Sequence, residues 1–133
     1  MRSLNEFEMK CIKKYFDTDF KGKRILENQI ENAKVVSEIG YDYYSLKLFT
    51  SKMTERYPYK VRVPVEMHIF QQGDAPIVCL LHIIDGLIDE FEIITADSSC
   101  IRDKIEGISF GKVEYVISKE VIVDRNETGV LNN

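Results

Sequence analysis

The chain has 133 residues, with 18 Lys and Arg against 22 Asp and Glu for a net charge of −4. That length suits one domain, and 44% hydrophobic residues with seven Phe and seven Tyr supply a core, which argues against disorder and multi-domain enzymes. Net acidity also disfavours a general nucleic-acid binder, whose phosphate contacts need a basic surface.

Ser3-Leu4-Asn5-Glu6 matches the capping-box pattern, in which a side-chain oxygen and a Glu carboxylate satisfy unpaired backbone N–H groups. Behind it, Leu4, Phe7, Cys11, Ile12, Tyr15 and Phe16 recur at helical spacing, with acids first and bases last as the helix dipole favours. This predicts a helix over 4–16. A polar loop, Asp17 to Gly22, leads to a second helix over 23–33 carried by Ile25, Leu26, Ile30 and Ala33.

From Lys34 the period changes to two. Val35 to Ile39 and Tyr43 to Phe49 read as strands around a turn at Gly40-Tyr41-Asp42. A connecting loop spans Lys52 to Lys60. Val63 to Phe70, Ile77 to Ile84 and Leu87 to Ile94 are stronger strands. The last two flank Asp85-Gly86, a two-residue hairpin turn that needs positive φ at both positions. Pro64 lacks an amide donor and belongs at a strand start or an edge. Lys112 to Ser118 and Glu120 to Val123 complete the strands. The expected fold is α+β: two N-terminal helices packed on a mainly antiparallel sheet of five to seven strands. It forms one domain, with 1–33 helical, 34–123 sheet and 124–133 a frayed tail.

Cys11, Cys79 and Cys100 are odd in number, widely spaced and set in or beside apolar runs, so they read as small hydrophobes. The N-terminus has no apolar signal core, and no apolar stretch reaches membrane-spanning length. A soluble protein of a reducing cytoplasm is expected.

The turn implies a register. With Ile84 facing Leu87, His82 lies opposite Asp89 and Leu80 opposite Phe91, while the looser preceding hairpin sets Glu66 near His82. A Glu66–His82–Asp89 cluster could orient an imidazole as a general base, or simply satisfy a structural histidine. His68 could join it, but no metal site and no cofactor are expected. Cys79 and His82, three apart on a strand, point to opposite faces, which rules against a thiol–imidazole dyad. Lys21-Gly22-Lys23-Arg24 opens the second helix and could hold an anion there, or be a solvated helix start. Tyr41, Tyr43, Tyr44, Tyr57 and Tyr59 are either interface anchors or packing residues.

Charge distribution carries the most information. Residues 1–60 hold twelve Lys and Arg against nine Asp and Glu, whereas 61–133 hold six against thirteen. Within 61–100 the single base, Arg62, faces seven acids. A patch of this kind steers a basic protein partner, or serves as solubilising surface. Glu66, Asp85, Asp89, Glu90, Glu92 and Asp97 are therefore the candidate partner-binding residues.

Arg2-x-Leu4-x-x-x-Glu8, Pro64-Val65-Glu66, Leu80-Leu81-His82-x-x-Asp85-Gly86-x-x-x-Glu90-x-Glu92-Ile93 and Asp97 resemble a family of small bacterial domains of unknown function. The resemblance covers residues 2–101 and implies no catalytic residue. In overall profile the chain is also similar to immunity proteins of bacterial toxin systems, including contact-dependent growth inhibition. That similarity implies a monomeric, non-enzymatic cytoplasmic binder of a basic, nuclease-type toxin, with no direct nucleic-acid or membrane contact. A small enzyme using His82, or a homodimeric scaffold pairing through a sheet edge, are the other readings.

Overall fold

The computed structural model describes residues 1–40 and 43–123. The turn residues Tyr41 and Asp42 and the expected tail at 124–133 lie outside the described residues. Helix α1 spans Glu6–Tyr15 and α2 spans Lys23–Glu31. The capping box exists but is shifted by two residues from Ser3. Asn5 Oδ1 accepts the Glu8 N–H at 2.8 Å, and the Glu8 carboxylate accepts the Asn5 N–H at 2.9 Å. Glu8 takes that role because its carboxylate, fully buried, is also gripped by both guanidinium nitrogens of Arg2, each at 2.8 Å, and by the Tyr44 hydroxyl at 2.7 Å. Helix α2 stops at Glu31, two residues short of the expected end; Asn32 caps it, and Ala33 leads into the first strand.

Six strands follow: β1 (Lys34–Ile39), β2 (Tyr44–Phe49), β3 (Val65–Ile69), β4 (Ile77–Ile84), β5 (Leu87–Thr95) and β6 (Val113–Ile117). They form one sheet in the order β1-β2-β5-β4-β3-β6, with every neighbouring pair antiparallel. The fold is α+β, as the alternation of periods implies. Pro64 sits just before β3, and its carbonyl accepts the Ser118 N–H at 2.9 Å, so its missing donor costs no ladder bond. The Asp85-Gly86 turn has φ of 53° and 78°, which explains the Asp-Gly pair.

Both helices pack on one face of the sheet. Tyr15 of α1 meets Phe91 edge-on at 5.8 Å and donates its hydroxyl to the Val65 carbonyl at 2.7 Å. Gln29 of α2, fully buried, donates to the carbonyls of Glu55 and Gly86 and accepts the Ile88 N–H at 2.8 Å. It thereby pins three chain segments with one amide. Around these lie Leu26, Leu46, Met67, Ile77, Cys79, Leu81 and Ile93, each 0 or 1% exposed. Burying a side chain of this size is worth roughly 1.5–3 kcal/mol, so this layer is the main source of stability.

The long connections run across the two ends of the sheet. After β2, the segment 50–64 crosses the β4–β5 hairpin tip, where the Tyr57 N–H meets the Gly86 carbonyl at 2.8 Å and the Ile83 N–H meets the Arg62 carbonyl at 2.7 Å. Gly86 is needed there for space as well as for φ, since a Cβ would lie 2.9 Å from Arg56 Cβ and 3.0 Å from the Tyr57 carbonyl oxygen. The expected strand Glu120–Val123 is not one. Lys119–Val121 is a 3-10 turn, because Val121 is buried and its carbonyl accepts the Lys21 N–H at 2.8 Å, which draws the chain toward the α1–α2 loop.

Candidate functional site: the open face of the sheet

A single extra residue decides which side chains reach the open face. Ile84 pairs with Leu87 as the turn requires, and Ile83 with Ile88, but His82 then pairs with Glu90 rather than Asp89. Asp89 is the extra residue of a β-bulge. Ile88 and Phe91, three apart, are both buried, so Asp89 and Glu90 between them both turn outward. Without the shift, the register His82–Asp89 and Leu80–Phe91 would send Phe91 to the open side and Glu90 and Glu92 into the core. The expected register is thus corrected by the need to bury Phe91. Glu66 pairs with Leu80, not His82, so the expected Glu66–His82–Asp89 cluster does not form.

On the open face, one row crosses the whole sheet: Ile39, Ser45, Glu92, Leu80, Glu66 and Val116. The adjacent rows are Ser37–Lys47–Glu90–His82 and Ile94–Val78–His68–Glu114. No described helix covers this face. Its carboxylates, Glu66, Asp89, Glu90, Glu92 and Glu114, outnumber its bases, Lys47, Arg62 and Lys112. Apolar groups lie among them: Leu80 and Ile94 are half-buried, and Val116 and Ile39 are exposed at opposite edges.

Each acid has a defined setting. Asp89 is held by Lys47 at 2.7 Å, and Ser45 donates its hydroxyl to Glu90. The Glu92 carboxylate contacts His82 Nε2, and the Arg62 side chain donates its Nε–H to His82 Nδ1 at 3.2 Å. With Nδ1 accepting, Nε2 carries the proton and donates to Glu92, so imidazole orientation is fixed from both sides. Glu66 contacts His68 Nε2 at 3.2 Å along its own strand. Asp85 lies apart, in the hairpin turn, where its carbonyl accepts from Arg56. Asp97 also lies apart, in the turn after β5. The Ser99 hydroxyl and amide donate to it and hold its carboxyl below the usual carboxylate range. Thus Glu66, Asp89, Glu90 and Glu92 share the face, while Asp85 and Asp97 sit beyond the ends of β5.

Tyr43, Glu90, Glu92, Ile94, Thr95, Ser98 and Ser99 line a concavity of about 410 Å³ beside this face. Tyr43, 41% exposed, is the one described tyrosine of the five candidates that stands free as an anchor. Tyr44 and Tyr57 are buried, Tyr57 donating its hydroxyl to the Lys21 carbonyl, and Tyr59 packs edge-on against Tyr57 at 5.3 Å. Tyr41 lies outside the described residues.

The remaining candidate chemistry resolves as structure. Cys79 lies on the core face against Cys11; the contact with that thiol and burial push its own thiol pKa well up, away from the nucleophilic thiolate form. His82 is on the opposite face, as strand parity requires. Lys23 at the α2 start turns back, with Nζ at 2.9 Å from the Phe16 carbonyl and 3.7 Å from Asp19. Among the described residues, no group of three His, Cys, Asp or Glu is placed to hold a metal. No helix among them is long and apolar enough to cross a membrane.

Three elements of this arrangement carry no advance signal in the sequence: the bulge, the Arg62 contact to His82 and the Gln29 staple. Two pairs of polar residues within the segments quoted above are in contact. Arg2 and Glu8 grip each other, and His82 and Glu92 do the same. No family model, curated protein or solved structure matches the chain.

Proposed function

We propose that the chain is a non-enzymatic binding protein that docks the open face of its sheet on a basic protein partner. In its specific form this is an immunity protein, which neutralises a cognate toxin of nuclease type in the cytoplasm by covering the toxin's active site. The observation that carries the reading is the Asp89 bulge, which sets Glu90 and Glu92 beside Glu66 and Glu114 on the face no described helix covers. A nuclease groove is basic because it must accept phosphates, so a carboxylate row interleaved with Leu80, Ile94 and Tyr43 complements it in charge and supplies apolar contact. The residues assigned to contact are Glu66, Asp89, Glu90 and Glu92, with Asp85 and Asp97 at the two ends. The profile similarity to immunity proteins points the same way.

The direct test is growth rescue. Cells poisoned by the product of the neighbouring gene should survive when the chain is co-expressed, and the purified pair should co-elute. Neither protection nor binding would end the proposal.

A further inference from the structure

The two edge strands of the sheet differ in how they are protected. β1 is shifted by a bulge between Val35 and Ser37, and Arg2 bridges Val35 through two backbone hydrogen bonds of 3.0 and 2.7 Å. Among the described residues β6 has neither device, and it pairs with β3 without a shift from Val113 to Ile117. Its outward groups can be assigned from the ladder. Phe70 N–H bonds to the Lys112 carbonyl and Ser118 N–H to the Pro64 carbonyl, both at 2.9 Å. In an antiparallel ladder such bonded pairs alternate, so Lys112, Glu114, Val116 and Ser118 turn their backbone groups to β3. The N–H and C=O groups of Val113, Tyr115 and Ile117 point away from the sheet. Among the described residues none of these groups has a backbone partner across the edge.

A straight edge with three such residues is a template for an added strand. The charges beside it select the occupant. Two copies pairing about Tyr115 would set Glu114 opposite Val116 of the second copy on the open face, with the two Glu114 carboxylates on the diagonal. They would also bring together two basic α1 ends, since Tyr115 donates its hydroxyl to the Lys14 carbonyl at 2.6 Å. Like charges close across a strand pair oppose association. On the open face a basic segment meets carboxylates, while the basic α1 end on the other side opposes it as it opposes a second copy. Glu114 and Glu66 are exposed on the open face, and Lys112 beside them is drawn over the Phe70 ring at 5.1 Å.

The geometry points to β6 as the strand to which the basic partner adds an extended segment. Lys or Arg of that segment face Glu114 and Glu66 on the open side, and apolar residues alternate with them beside Val113, Tyr115 and Ile117. This names a docking mode for the proposed binding protein, and rests on that reading only for the partner's basic character.

The probe is an end-capped peptide of alternating Lys and Val, as long as β6, with a Glu–Val peptide as its counterpart. Amide hydrogen exchange is read by NMR on the full chain. At saturation the Lys–Val peptide should slow exchange at Val113, Tyr115 and Ile117 by about tenfold or more, while Glu114 and Val116, already bonded to β3, change little. The Glu–Val peptide should leave all five unchanged. Val113→Pro removes an outward N–H without touching the β3 ladder and should abolish the protection, whereas Val113→Ala should keep it. The inference is overturned if the Lys–Val peptide protects none of the three amides, or if both peptides protect them equally. It is also overturned if these amides already exchange slowly in the free chain, or become protected with rising protein concentration alone. Failure here leaves the growth-rescue result untouched, and a failed rescue leaves the peptide result standing, so the two claims separate.

Discussion

Glu92 accepts a hydrogen bond from the His82 imidazole across the β4–β5 pair, and the two share a face only because Asp89 is an extra residue in β5. The turn at Asp85-Gly86 fixes one register and the burial of Phe91 fixes another. The bulge reconciles them, and the acidic row on the open face is its consequence.

Deleting Asp89 should therefore be tolerated. The hairpin becomes regular, with Ile83 still facing Ile88, His82 still facing Glu90, and Phe91 still buried. The lost bond to Lys47 is an exposed ion pair, worth at most about 1 kcal/mol. Urea denaturation should place the deletion variant within about 1 kcal/mol of the parent chain. A loss of several kcal/mol would mean that the bulge itself holds the sheet together.

His82→Ala tests the structural role of the imidazole. It removes the partner of both Arg62 and Glu92, and should lower Tm by about 3–6 °C, equivalent to roughly 1–1.5 kcal/mol. An unchanged Tm together with loss of a measurable turnover would favour the enzyme reading instead.

Glu8 makes stability depend on acid. Burial pushes its carboxyl up, but the Arg2 guanidinium, the Asn5 amide and the Tyr44 hydroxyl outweigh it, and the net shift is downward. A depressed folded-state pKa means that the unfolded chain binds the proton first. The contribution is then present above the ordinary carboxylate range and is lost as pH falls through the folded-state value. Glu8→Gln should cost about 1–3 kcal/mol at neutral pH, a figure reduced by the 41% exposure of the Arg2 side chain. It should also flatten the fall in stability below about pH 4.5. Denaturant midpoints measured from pH 7 to pH 3 check both; parallel pH profiles for parent and variant would contradict the assignment.

Gln29→Leu keeps volume but strands the Ile88 N–H and removes a donor from two carbonyls. The expected loss is about 2–4 kcal/mol, read as a lower denaturation midpoint with unchanged slope. A near-neutral result would show that water replaces the amide.

Much of this architecture was legible from periodicity. Helical spacing from Leu4 to Phe16 reflects burial on one side of an element, and the short apolar run Ile77–Ile84 between turn residues marks a strand, both of which a single chain displays directly. The Asp-Gly turn was legible because positive φ restricts residue choice. The bulge was not, since alternation in Leu87–Ile94 reads equally well in two registers and only the position of Phe91 against Tyr15 separates them. The cap at Asn5 was hidden for a similar reason. Ser3 and Asn5 both suit an N-cap, and the choice depends on Arg2 and Tyr44 meeting Glu8, contacts set by the tertiary fold. Of the six acids singled out by charge, the sequence located the cluster but not its division between face and turns, because a face is defined only once strand order is known.

The most direct test of the docking face is the affinity of the variant Glu66→Gln, Glu90→Gln, Glu92→Gln for the proposed toxin partner, identified by the growth-rescue screen, measured by titration calorimetry against the parent chain. These changes keep side-chain shape and remove three charges from the open face. The predicted result is a Kd raised by about 100-fold or more at low salt, with a weaker salt dependence than the parent and loss of growth protection. An unchanged Kd and full protection, with the parent chain binding the toxin, would contradict the account and place the interface elsewhere.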